Sequence, residues 1–154
     1  MSMIQKDIDT VRSKLNELED VARKSVMKNA DFILELIKNE QLGKGIMSDG
    51  SSAPPYSPVT DAIANSPFGT KRPRKDKVAG QPWNFEWSGD WMDAFYIRSE
   101  LEGFDILSAD GKTRMLEEKA GGQLLKLTEK LNDFINDTII KPDLYKFMLD
   151  SVLI

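Results

Sequence analysis

The stretch IQKDIDTVRSKLNELEDVA, residues 4–22, places Ile4, Ile8, Val11, Leu15, Leu18 and Ala22 at intervals alternating four and three residues. Side chains at that spacing share one face of an α-helix, so the stretch reads as an amphipathic helix with a continuous apolar seam. Neither Gly nor Pro occurs before Gly43, and the seam runs on through Val26 or Ser25, Asn29, Phe32 or Ile33, and Leu36. A helix of that length would span roughly 50 Å if unbroken. Ser25 and Asn29 put polar groups on the seam and weaken it midway. Pairs such as Asp20 and Lys24 suit a wet outer face. Gly43-Lys44-Gly45 ends the helix, because two glycines remove the helical preference and supply left-handed backbone. The helix over residues 1–42 is longer than a small sheet needs for cover, so part of its seam is expected to meet another subunit.

Working outward, residues 43–82 hold much of the Gly, Pro and Ser, including Ser48-Asp49-Gly50-Ser51-Ser52, Pro54-Pro55-Tyr56-Ser57-Pro58 and Pro67-Phe68-Gly69. They read as an extended excursion, with short strands over 45–47 and 56–59 joined through an Asp49-Gly50 turn. Such a long loop in a small chain signals function or disorder. Residues 83–108 read as a small sheet. Trp83, Phe85 and Trp87 alternate with polar residues as on a strand with one buried face. Ser88-Gly89-Asp90 breaks that strand, and Asp90 caps one helical turn carrying Trp91, Ala94 and Phe95. Residues 96–98 and 104–108 form two arms of an antiparallel pair. Over 113–154 the pattern is helical: Thr113 to Lys119, an interruption at Gly121-Gly122, then a helix capped by Thr128 with Leu131, Phe134, Ile135, Thr138 and Ile139 inward. Pro142 begins a last helix whose apolar set is Leu144, Tyr145, Phe147, Met148 and Val152. The class is therefore α+β: a long N-terminal helix on a small antiparallel sheet, a long Pro/Gly-rich loop, and C-terminal helices, in one domain.

At 154 residues, 40% hydrophobic and 30% charged, the composition is that of a soluble globular chain of one-domain length. It contains no Cys and no His, which excludes disulfides, thiolate or imidazole nucleophiles, and zinc sites built on nitrogen and sulfur ligands. No apolar run approaches a bilayer span, and Met1-Ser2-Met3-Ile4-Gln5-Lys6 is unlike a signal peptide, so the expected compartment is a cytoplasm and no membrane partner is expected. The net charge of −4 hides an asymmetry: residues 71–77 (KRPRKDK) carry five bases and one acid.

No constellation reads as a catalytic, cofactor or metal site. Ser48-Asp49-Gly50 lacks the donor spacing and closing Glu of a calcium loop. Glu117/Glu118 and Glu100/Glu102 are too close in sequence to share a helix face and read as solvated acids. Gly43-Lys44-Gly45 and Gly121-Gly122 lack the context of a phosphate cradle. Lys71, Arg72, Arg74, Lys75 and Lys77 have the composition of an arm for DNA or another anionic partner, against the plainer reading of a solvated loop tip. Trp83, Phe85, Trp87, Trp91 and Phe95 read as core rather than as a stacking platform. A carboxylate-dependent hydrolase would need Asp49, Asp90 and Asp110 to converge; each reads instead as a turn or cap residue.

Three segments carry a resemblance that spans residues 39–145. The first is NEQLGKGIMSDG (39–50) followed by YSPVT (56–60), in which Asp49, Gly50, Tyr56 and Pro58 mark the assembly loop. The second is Phe85, then Trp87-Ser88-Gly89-Asp90-Trp91, then Ala94-Phe95. The third joins Glu118-Lys119-Ala120-Gly121-Gly122, Leu127-Thr128-Glu129-Lys130 and Lys141-Pro142-Asp143-Leu144. In this succession the chain resembles the tail-completion and head–tail joining proteins of tailed bacteriophages. Trp87 stands where that pattern has a small aliphatic, Ala120 where it has an aromatic, and the insert around Pro67–Lys77 departs from it. The resemblance implies a non-enzymatic virion protein that forms a homo-oligomeric ring at the neck or upper tail. Its implied neighbours are portal-complex and tail-tube proteins, with genomic DNA passing through. The alternative is a small nucleic-acid-binding regulator that uses the basic run.

Overall fold

The computed structural model describes residues 2–64, 77–85, 90–100 and 103–152. Helix α1 spans Met3–Lys28. Its first turn is capped by Ser2, whose Oγ accepts from the Gln5 amide at 3.1 Å, one of the donors every helix start leaves unpaired. The seam breaks where its polar residues lie. Asn29 leaves helical geometry (φ −106°, ψ 19°) and separates α1 from α2, Ala30–Leu36. Its Nδ2 donates to the Ser25 carbonyl at 2.8 Å, and the buried Ser25 hydroxyl donates to the Ile139 carbonyl at 3.2 Å. Of the two residues that interrupt the apolar face, Ser25 fastens the helix to the C-terminal part of the chain and Asn29 closes the end of α1 on itself.

Beyond α2 the backbone widens into a π-turn, Ile37–Gln41, then tightens through Leu42–Lys44 to Gly45 at φ 69°. A side chain on Gly45 would put its Cβ 2.6 Å from Pro82 Cβ, so both the left-handed backbone and the close approach require glycine. The helix end expected at 43–45 is where the structure has it.

Strands β1, Phe95–Glu100, and β2, Gly103–Ser108, pair antiparallel with Ile97 opposite Ile106 and Phe95 opposite Ser108. Helices α1 and α2 lie against this pair, and Val26, Ile33 and Ile37 share a buried cluster with Phe95, Ile97 and Ile106. The α+β class, the long N-terminal helix and the C-terminal helices are as the sequence indicates.

The sheet is smaller than expected. Over 45–47 there is one isolated bridge, Ile46 with Ser52, and residues Pro58–Ala64 form helix α3 in place of a strand. Ser57 explains this: its Oγ accepts from the Thr60 amide at 3.1 Å, and Pro58 fits the first helical position, where its missing N–H costs nothing. Of the strand expected over 83–87, residues 83–85 are irregular and Phe85 has φ 57°, a conformation that cannot continue a ladder. Helix α4, Asp90–Asp93, is the expected single turn.

Helix α5 spans Thr113–Lys119, and α6, Glu129–Ile135, starts at the Thr128 cap. Leu131, Ile135 and Ile139 face inward, whereas Phe134 and Thr138 are exposed, because the four-residue stripe leaves them at its edge. A second π-turn, Asn136–Ile140, leads directly into α7, Lys141–Val152. Pro142 therefore sits inside a continuous run rather than beginning a separate helix. A wide turn accommodates a ring that lacks an N–H and crowds the preceding turn. Helix α7 lies against α1.

Candidate assembly surface

Residues 3–17 of α1 are all exposed, and the seam residues among them are open to solvent: Ile4 at 71%, Ile8 at 44%, Val11 at 59% and Leu15 at 55%. Burial begins only near Ser25 and Val26. At 1.5 Å per residue, a rod of roughly 20 Å projects with its apolar face uncovered among the described residues. Tyr145, Met148 and Leu149 of α7 add exposed apolar surface. Farther along α1, an open groove of about 970 Å³ runs between Glu19–Val26, β2 and the stretch from Gly122 to Ile140.

The excursion is tied down at its base. The Tyr56 amide donates to the Gln81 carbonyl at 2.9 Å, the Gly80 amide to the Tyr56 carbonyl at 3.0 Å, and the Trp83 amide to the Pro54 carbonyl at 2.9 Å. Pro55 and Pro82 form a bridge between the same strands of chain. These bonds close a stem, from which α3 departs on one side and Lys77 returns on the other.

The Asp49-Gly50 turn is pinned separately. Asp49 Oδ1 accepts from the Ser51 amide at 2.9 Å and from its hydroxyl at 2.6 Å. Those two bonds, the hydroxyl first, hold the carboxyl below the usual carboxylate range. Gly50 takes the left-handed backbone, φ 84°. The Ser48 hydroxyl reaches the carbonyls of Gln123 and Lys126, so the turn is fixed onto the segment before α6.

Lys77 departs from its expected role as an exposed contact for DNA or an anionic partner. It is 1% exposed. Its Nζ donates to the Tyr56 hydroxyl at 2.8 Å and also to Asn84 Oδ1, and it lies 5.0 Å from the Tyr56 ring centre. A buried ammonium needs acceptors for its donors; Tyr56 and Asn84 supply two, and the Tyr56 ring face adds an attraction for the charge. Tyr56, expected in the assembly loop, is itself buried and serves as a post of the stem. Pro58 begins α3. Lys71, Arg72, Arg74, Lys75, Trp87 and Gly89 lie outside the described residues.

The aromatic residues form a chain of contacts inside the body. Trp83 meets Phe85 at 5.9 Å, Phe85 meets Trp91 at 5.9 Å, and Trp91 meets Phe95 edge-on at 4.8 Å between ring centres. The Trp91 indole N–H donates to Thr113 Oγ1 at 3.0 Å, the partner a buried indole requires. Asp90 opens α4 immediately before Trp91. Asp110 Oδ1 accepts from the Lys112 amide at 2.7 Å, a turn contact. Among the described residues no group of three or more acidic side chains is placed to hold a metal ion, and no helix is long and apolar enough to cross a membrane.

Gln41 is a structural residue that sequence reading missed. Fully buried, it donates from Nε2 to the Lys126 carbonyl at 2.7 Å and accepts from the Thr128 amide at 2.9 Å. The available signal was its place four and eight residues after Ile37 and Ile33, on the stripe that faces the core.

No family model, characterised protein or solved structure matches the chain.

Proposed function

We propose that the chain is a non-enzymatic structural subunit of a tailed-bacteriophage virion, forming a ring at the neck or upper tail that joins the DNA-filled head to the tail. In this reading its partners are further copies of itself, the portal-complex and tail-tube proteins on either side, and the genomic DNA that passes; assembly takes place in the host bacterial cytoplasm. The observation that carries the reading is the projecting half of α1, whose apolar seam is uncovered among the described residues; exposed apolar faces of this kind mark interfaces. The motif resemblance over residues 39–145 supplies the kind of assembly. A ring closes through heterologous contacts repeated on every subunit, and an acidic body, at −4 overall, suits a channel through which phosphate passes without adhering.

The test is the mass of the purified full chain by light scattering, with images of the particles, repeated on a variant lacking residues 66–75 that keeps the stem and Lys77. The expected result is a closed oligomer with a central channel and no salt-dependent affinity for DNA. A monomer that binds DNA with a steep salt dependence overturns the ring and selects the nucleic-acid regulator instead. Loss of the oligomer in the shortened variant alone assigns the deleted segment to the subunit contact.

A further inference from the structure

The projecting half of α1 carries an ordered set of charges as well as an apolar seam. Ile4, Val11 and Leu18 repeat every seven residues, as do Ile8, Leu15 and Ala22, which makes them the d and a positions of a heptad pattern. The flanking g positions are then Asp7 and Lys14, and the e positions Arg12 and Glu19. All four are exposed. Among the described residues Asp7, Arg12 and Glu19 have no ion-pair partner in their own chain, and Lys14 lies 3.6 Å from the exposed Glu17.

In parallel helices paired in register, each g residue faces the e residue of the next heptad on its neighbour. Asp7 then faces Arg12 of the other copy, and Lys14 faces Glu19: opposite signs at both contacts, although the order of sign reverses between them. A single acidic or basic partner would be repelled at half of these positions, whereas a second copy satisfies every one. An anionic lipid surface likewise prefers one sign along the polar face, and this helix alternates them. Isolated helices of two heptads are marginal in water, but here Ser25, Val26 and the contact to Ile139 already hold α1 in the body, so nucleation is not part of the cost of pairing.

We propose that residues 4–19 of α1 dock on the same residues of a second copy as a parallel, in-register coiled coil, with Asp7–Arg12 and Lys14–Glu19 ion pairs across the contact. The pairing rests on the reading of the chain as a self-assembling subunit and names its contact surface; the charges suit an antiparallel pair as well, and the variants below separate the two. A two-stranded parallel pair is isologous and closes on its own two-fold axis, so a ring of more copies closes through a further, heterologous contact.

Two full-length variants test it: Asp7→Lys with Lys14→Glu, and Arg12→Glu with Glu19→Lys. Each keeps the net charge and touches no buried residue, so an unchanged unfolding midpoint certifies the fold. Each alone sets like charges together and is expected to weaken self-association by about a hundredfold, read by light scattering over a concentration series. The equimolar mixture restores opposite signs at every contact and is expected to regain wild-type association. Variants that associate as the wild type does, while the wild type is oligomeric, overturn the pairing and leave the ring standing. An antiparallel pair gives that result, because it sets Asp7 against Lys14. A wild-type chain that is monomeric at every concentration overturns both.

Discussion

At the residue scale, Tyr56 shows how one hydroxyl organises a neighbourhood. It accepts from Lys77 Nζ at 2.8 Å and from the Asn84 amide at 2.9 Å, and donates to Asn84 Oδ1 at 2.6 Å. Tyr56→Phe is expected to destabilise the protein by about 1–3 kcal/mol in urea unfolding, since buried donors lose their acceptor. Tyr145→Phe, at an exposed ring, is the matched control and should fall within roughly 0.5 kcal/mol of wild type. Asp49 gives a pH signature. Its carboxyl is held below the ordinary value by Ser51, so its contribution is full above about pH 4 and is lost as pH falls through the lower folded value. Asp49→Ala should therefore lower the unfolding midpoint at pH 7, and the gap should narrow on acidification below pH 4; a gap independent of pH would remove the carboxylate from the turn. The turn was legible in Ser48-Asp49-Gly50, since those residues supply the bend locally. The burial of Lys77 was not, because its partners are Tyr56 and Asn84, and charge counting along 71–77 cannot register a ring 21 residues away in sequence.

At the element scale, α1 divides into a packed part and a free part, and the boundary has an energetic consequence. Leu15→Ala, in the projecting half, is expected to change monomer stability by under about 0.5 kcal/mol. Ile33→Ala, at a fully buried position of α2, is expected to cost about 2–5 kcal/mol in the same denaturation experiment. Equal losses at the two sites would mean that the seam is covered within the monomer. The helices were readable because periodicity, caps and glycines are local signals, and Asn29 broke the run where its polarity predicted weakness. The strand expectations over 56–59 and, among the described residues, 83–85 fail for a definable reason. Ser57-Pro58 is a helix-start signal embedded in a Pro-rich stretch, and the alternation of Trp83 and Phe85 is consumed by ring-on-ring packing against Trp91 rather than by a ladder. The two π-turns precede Gly43 and Pro142 closely, the residues where an ordinary helical turn could not continue unaltered.

At the scale of the whole molecule, the apolar cluster of the body is accompanied by polar clamps between distant parts of the chain. Ser25 reaches Ile139, Gln41 reaches Lys126 and Thr128, and Ser48 reaches Gln123. None of these long-range pairs was visible in the sequence, because each is a single side chain meeting a backbone group whose position only the completed fold defines. The stem at Pro54–Ser57 and Gly80–Trp83 leads to a different kind of consequence. It closes the excursion at its base with three backbone bonds, between Tyr56 and Gln81, Gly80 and Tyr56, and Trp83 and Pro54. Lengthening a closed loop costs only about 0.6 kcal/mol per doubling. With its two ends held together by the stem, the chain between Ala64 and Lys77 is expected to take a change of length at a cost of that order.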